Sequence, residues 1–229
     1  MPSIAENLAG IRKRINDACE RSARAPETVE LLAVSKRQPL ERLQTAIDAG
    51  QEVFGESQVQ EAVSKAAVLA LDLEWHLIGP LQSNKVKAAA RLFHTIHSVD
   101  REKIARLLNK EAAKLNRRLN VFFQINIGSE SSKHGFAEDA WESIRPLLDL
   151  EHLHPLGLMA IPPYEEDPQQ ARAWFRRLRE MRDEMSSWPE CKSLNLGLSM
   201  GMSHDFEIAI EEGSTHVRVG TDIFGVRPT

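Results

Sequence analysis

The sequence predicts an α/β fold: a single (β/α)8 TIM barrel with an extra N-terminal helix. Three observations point there. Eight short β-prone segments alternate with helical patterns along 229 residues, the order of a parallel sheet clothed by crossover helices. Polar and glycine residues gather at the ends of those segments, where barrels carry their chemistry. No linker, low-complexity tract or charge block divides the chain, so residues 1–229 read as one domain. A doubly wound open sheet is the alternative, because periodicity counts strands without showing closure.

The elements follow in order. Ile4, Leu8, Ile11, Ile15 and Ala18 fall on one helical face, which predicts an amphipathic helix over about 3–24. Pro26 breaks it before the first strand. Strands are expected near 30–35, 52–55, 74–78, 93–98, 120–127, 153–160, 194–199 and 215–220. Helices are expected near 39–49, 57–70, 83–91, 100–116, 138–149, 168–187 and 203–212. Asp100, ahead of Ile104, Leu107, Leu108, Ala112 and Leu115, is the expected N-cap of its helix. Trp174, Phe175, Leu178, Met181 and Met185 share one face of the 168–187 segment. Its arginines form a solvated face, offset by Glu180, Asp183 and Glu184.

Composition excludes several classes. A net charge of −4 offers no bulk attraction to nucleic acid or to an anionic membrane. Two cysteines, Cys19 and Cys191, lie far apart without metal-type spacing, which fits a reducing cytoplasm. The N-terminus lacks a signal-peptide layout, and Asp72 interrupts one of the apolar stretches, all of them shorter than a bilayer span. The expected location is cytoplasmic. His152 and His154 share a strand face but lack a third ligand, so no metal is expected.

Lys36 ends the first strand, Val29-Glu30-Leu31-Leu32-Ala33-Val34-Ser35. Apolar surroundings favour a neutral amine, which can attack an aldehyde and hold it as a Schiff base. The seventh strand leads into Ser199-Met200-Gly201-Met202-Ser203, and the eighth ends Arg218-Val219-Gly220-Thr221. Loops after strands seven and eight are where barrels often hold phosphate, with backbone N–H groups, hydroxyls and glycines for close approach. An imine-forming lysine with a phosphate cradle admits two ligands: a phosphorylated sugar in an aldolase, or pyridoxal 5′-phosphate (PLP). The spacing leaves both open.

The motifs Ala33-Val34-Ser35-Lys36, Phe54-Gly55-Glu56, Glu74-Trp75-His76-Leu77-Ile78-Gly79-Pro80-Leu81-Gln82-Ser83-Asn84-Lys85 and Ser132-Lys133-His134-Gly135-Phe136 stand in this order. Gly157-Leu158-Met159-Ala160, Leu198-Ser199-Met200-Gly201-Met202-Ser203 and Arg218-Val219-Gly220-Thr221 follow. Together they closely resemble the pyridoxal phosphate homeostasis proteins, in register from about residue 30 to Arg227. The resemblance implies a (β/α)8 barrel like the N-terminal domain of alanine racemase. It implies that Lys36 holds PLP as a Schiff base and that Ser199, Ser203, Gly220 and Thr221 take the phosphate. It sets Arg218 against the pyridine nitrogen, with Met200, His76 and Met159 lining the cofactor. The family commonly reads Gly-Glu-Asn where this chain has Gly55-Glu56-Ser57, which puts a contact at Ser57 in doubt.

Two features separate a carrier from an enzyme. Arginine offers only donors and keeps its charge, so a pyridine nitrogen facing Arg218 stays unprotonated and the ring is a poor electron sink. A racemase of the alanine racemase type needs a second acid/base beside Lys36. The relatives supply a tyrosine from another domain, for which this sequence, ending at Thr229, leaves no room. The only tyrosine, Tyr164, lies in a loop, and His76 or His204 would have to substitute. The expectation is a non-catalytic protein of intracellular vitamin B6 homeostasis, a monomer, with apo PLP-dependent enzymes as possible recipients. The racemase is the alternative. Lys85 and Lys133 are further strand-end lysines that could accept PLP transiently.

Overall fold

The computed structural model describes residues 2–69, 72–128 and 134–225. Its first element is helix α1 (Ile4–Arg21), which starts with a capping box: Ser3 and Glu6 satisfy each other's backbone N–H groups. The helix stops at Arg21, short of the expected limit. The residues beyond it turn sharply, with Ala23 at φ 54°. Leu8, Ile11, Ile15, Ala18 and Cys19 are its buried face.

The strands are β1 (Glu30–Val34), β2 (Val53–Glu56), β3 (Glu74–Leu77), β4 (Thr95–Val99), β5 (Leu119–Asn126), β6 (Phe136–Ala137), β7 (Leu153–Met159), β8 (Gly197–Met202) and β9 (His216–Val219). Eight of them run parallel around a closed ring, β1-β2-β3-β4-β5-β7-β8-β9 and back to β1. The two-residue β6 pairs only with β5, outside the ring. Closure therefore selects the barrel over the open sheet.

The helices are α2 (Leu40–Asp48), α3 (Val59–Leu69), α4 (Val86–Leu92), α5 (Glu102–Lys114), α6 (Arg172–Ser187), α7 (Phe206–Glu211) and α8 (Thr221–Phe224). Each of the longer ones turns an apolar stripe to the strands, as Ile104, Ala105, Leu108 and Ala112 do in α5. The extra helix α1 packs on α2, α7 and α8. There Arg14 bridges Glu207 at 3.1 Å and Asp222 at 2.9 Å, with its guanidinium over the Phe206 ring.

Three local expectations are corrected. The segment expected as a helix over 138–149 is a 3-10 run, Trp141–Leu147, with Pro146 inside it. Proline removes an amide donor and crowds the preceding turn, so an α-helix does not propagate there. Asp100 does not cap α5, because Arg101 takes its carboxylate at 2.6 and 2.7 Å. Finally, the arginines of α6 are not merely solvated: Arg172, Arg176 and Arg179 converge on buried Glu212 at 3.1, 3.5 and 2.7 Å.

Candidate functional site

Alternation along β1 sorts its side chains. Ala33 joins the apolar layer between strands and helices, and buried Ser35 follows it on that outer face. Continuing the alternation puts Lys36, half-buried, on the interior face with Leu32 and Val34. The neighbouring strand β9 is level with it: Ala33 pairs with Val219. A Cβ added to Gly220 would lie 3.2 Å from the Val34 carbonyl oxygen and 3.3 Å from its Cβ. Glycine at 220 therefore lets the ends of β1 and β9 close together, two residues from Lys36.

The two late loops are joined there. Gly220 N–H donates to Ser203 Oγ at 3.3 Å, a long bond whose partners both reach partial exposure. Thr221 is exposed at the start of α8. Gly201 stands near the end of β8, where the register with β9 shifts, at φ 91°, and its missing Cβ admits Ala209 and Phe206 of α7. Asp205 Oδ1 accepts the Met202 amide at 2.7 Å, which fixes the loop. Lys36, Ser203, Gly220 and Thr221 thus sit at the carboxyl ends of adjoining strands β1, β8 and β9.

Beneath this rim the barrel is filled by a polar chain. Arg218 donates to Ser199 Oγ at 2.6 Å and to the Ala160 carbonyl at 2.9 Å. Ser199 Oγ meets His97 Nδ1 at 2.8 Å, His97 Nε2 meets His76 Nδ1 at 2.9 Å, and His76 Nε2 meets Glu74 Oε1 at 3.0 Å. Phe122 stacks on His97, and His216 packs edge-on against both. Burial, helped by His76 and His216, drives the His97 pKa well below 6.5; burial and His76 bring His216 down to about 3. Both rings are neutral at pH 7. Burial lowers Arg218 to about 10, so it keeps its charge at neutral pH.

The expected site residues therefore fall into layers. Lys36, Ser203, Gly220 and Thr221 form the rim. Arg218 lies below, with Met159 fully buried near it at the end of β7, next to the Ala160 carbonyl that Arg218 binds. Ser199 is fully buried, and its hydroxyl is engaged by His97 and Arg218 rather than turned to the rim. His76 lies deeper still, bonded to His97 and Glu74. Met200 alternates with the inward Ser199 and belongs to the apolar layer under the helices. Ser57 lines a groove of about 500 Å³ with Lys85, Arg101 and His134. Lys133 lies outside the described residues.

Sequence reading missed a second buried cluster, behind Lys36. Lys65 Nζ donates to the Ser35 carbonyl, Glu56 Oε1 and Glu61 Oε1, each at 2.7 Å. Ser35 Oγ also donates to Glu56 Oε1, at 2.7 Å. Burial raises the Glu56 pKa, and the Lys65 charge opposes it. The Glu61–Lys65 spacing of four was a legible signal; their meeting with Glu56 needed the fold.

The alanine racemase N-terminal domain family matches residues 7–228. Full-length relatives named pyridoxal phosphate homeostasis protein include one from Aquifex aeolicus, 44% identical over 98% of this chain and 99% of that protein. Another, from Pseudomonas aeruginosa, is 45% identical over 99% of this chain and 97% of that protein. PipY of Synechococcus elongatus PCC7942, solved with PLP bound, superposes with a TM-score of 0.85 at 37% identity. It covers 97% of this chain and 100% of its own.

Proposed function

Because the chain belongs to the pyridoxal phosphate homeostasis proteins, within the alanine racemase N-terminal domain family, we propose that it binds pyridoxal 5′-phosphate at Lys36 as a Schiff base. It acts in vitamin B6 homeostasis as a carrier or buffer rather than as a turnover enzyme. The observation that carries this reading is the closure of β1 on β9 through Gly220, which sets an amine-bearing strand end beside loop donors.

The residues present fit the group. PLP supplies an aldehyde with which a neutral amine condenses, releasing water, and a phosphate at its far end. Lys36 is the amine at the end of β1. The Gly220 amide and the Ser203 and Thr221 hydroxyls are the phosphate donors. Arg218, held by Ser199 and Ala160, is a fixed cation for the ring nitrogen, and Met159 is apolar wall. Ser199 acts through Arg218, and His76 through His97; neither hydroxyl nor ring is needed as a direct contact. Ser57 remains a rim contact from the β2 side.

Arg218 also supports the carrier reading. A guanidinium charged at neutral pH can only donate to the ring nitrogen and offers no acceptor to its protonated form, so the nitrogen stays unprotonated and carbanion chemistry gains little from it. Tyr164 is 76% exposed and stacks on His204 at 5.4 Å, a surface arrangement. The barrel and α1 work as one domain, in the cytoplasm, as a monomer that can deliver PLP to apo enzymes. Among the described residues no helix is long and apolar enough to cross a membrane.

The test is direct. Protein reconstituted with PLP should show an imine absorbance band and a borohydride-reduced pyridoxyl group on the Lys36 peptide, both lost in Lys36→Ala. An intact, folded protein that gains neither would overturn the proposal. Sustained interconversion of L- and D-amino acids would favour the racemase instead.

A further inference from the structure

We propose that Lys65 is a positioning residue for Lys36, acting with Glu56 and Glu61 from the outer side of the barrel wall; this rests on the Lys36 reading above. The two residues flanking Lys36 are both held from behind. Ser35 gives its carbonyl to Lys65 Nζ and its hydroxyl proton to Glu56, each at 2.7 Å. Arg37 adopts φ 59°, a left-handed conformation that a side-chain-bearing residue rarely takes, and its amide donates to Glu61 Oε1 at 2.5 Å. Lys65 ties these anchors together, because its ammonium bonds both carboxylates as well as the Ser35 carbonyl.

The placement has a geometric consequence. Ser35 faces outward and Lys36 inward, so a clamp on the outer face holds the strand end without occupying the space before the amine. Strand β1 ends at Val34, and just past that point Ser35 N–H still donates to the Gly55 carbonyl, at 3.1 Å. Side chains of α3 and β2 take over where the sheet stops. Lys65 and Glu56 are buried, with side-chain exposures of 8% and 0%, so water does not substitute easily for either partner. Reactive groups held within a fraction of an ångström react far faster than loosely held ones.

The experiment compares full-length wild-type, Lys65→Met, Glu61→Gln and Glu61→Ala proteins. Three quantities are followed: the rate of imine absorbance growth with PLP, the yield of reduced adduct on the Lys36 peptide, and the circular dichroism melt. Lys65→Met should remain folded yet form the Lys36 adduct about 10- to 100-fold more slowly. Glu61→Gln keeps an acceptor for Arg37 and Lys65 and should stay within about twofold of wild type, whereas Glu61→Ala should be slowed about tenfold.

Wild-type rates and yields in folded Lys65→Met or Glu61→Ala would overturn the inference. Equal slowing in Glu61→Gln and Glu61→Ala would also overturn it, because charge rather than position would then matter. If Lys65→Met fails to fold, the Glu61 pair decides by the same criteria. A wild-type protein that forms no Lys36 adduct sinks the proposed function itself, a result distinct from these.

Discussion

Arg218 Nη1 lies 2.6 Å from Ser199 Oγ, and both groups are shut off from solvent inside the barrel. The serine is the joint between a cation near the rim and the histidine chain below it. Replacing Ser199 with alanine leaves an Arg218 N–H and His97 Nδ1 without that partner in a dry interior. Such losses cost about 1–3 kcal/mol. Ser199→Ala should therefore lower the urea midpoint at unchanged m-value and shift the absorbance of bound PLP through Arg218. An unchanged midpoint and spectrum would remove Ser199 from the chain.

The histidine interior makes stability depend on acid. Burial holds His216 at about 3 against an ordinary value of 6.5, so the unfolded chain binds the extra proton between those limits. Stability is therefore fully present above pH 6.5 and is lost as pH falls toward 3, with His97 acting in the same direction. The loss from His216 amounts to a few kcal/mol, about 1.4 for each unit of pKa difference, and His97 adds to it in the same direction. Denaturant melts at pH 7 and pH 5 measure it, and His216→Phe should flatten the dependence in that window.

Gly201→Ala should be among the most damaging small changes. The residue stands at φ 91°, and an added Cβ would fall 2.6 Å from the Ala209 Cβ and 2.9 Å from the Phe206 Cα. Backbone strain and the forced retreat of α7 together cost roughly 2–5 kcal/mol. Thermal unfolding of the variant should occur well below that of wild type.

Glu212 gathers Arg172, Arg176 and Arg179 although its own side chain is only 6% exposed. Truncation to alanine removes the acceptor that these three partly exposed guanidinium groups share at the α6–α7 junction, although Arg172 keeps Glu211. Glu212→Ala should cost about 2–4 kcal/mol, and the cost should persist in high salt. The exposed Lys13–Asp17 pair at 2.7 Å offers a contrast, since salt screens it and Asp17→Asn should change stability by less than about 1 kcal/mol.

Much of the fold was legible because it depends on short-range pattern. The α1 stripe from Ile4 to Ala18 and the apolar strand runs follow from periods of 3.6 and 2, which sequence displays directly. Pro146 was an unread signal of the same kind, and it converted an expected helix into a 3-10 run. Asp100 was misread for another reason: a side chain with two claimants goes to the nearer cation, and Arg101 is its neighbour. Lys36, Ser203, Gly220 and Thr221 stood out as polar or glycine residues where strands end. Which way Met200 faces was not legible, because neighbours on a strand face opposite ways and strand limits alone do not say which way is inward.

The sequence by itself determined the alternation of elements, the lysine at the end of the first strand, the glycine-bearing late loops and the family they resemble. Tertiary structure alone decided that the sheet closes, that Ser199 turns to His97 and Arg218, and that Lys65 reaches Ser35 from behind. Local patterns are fixed by chirality and burial within a few residues. Partners such as His97 and Ser199 stand 102 positions apart, so only the closed ring of strands brings them within bonding distance.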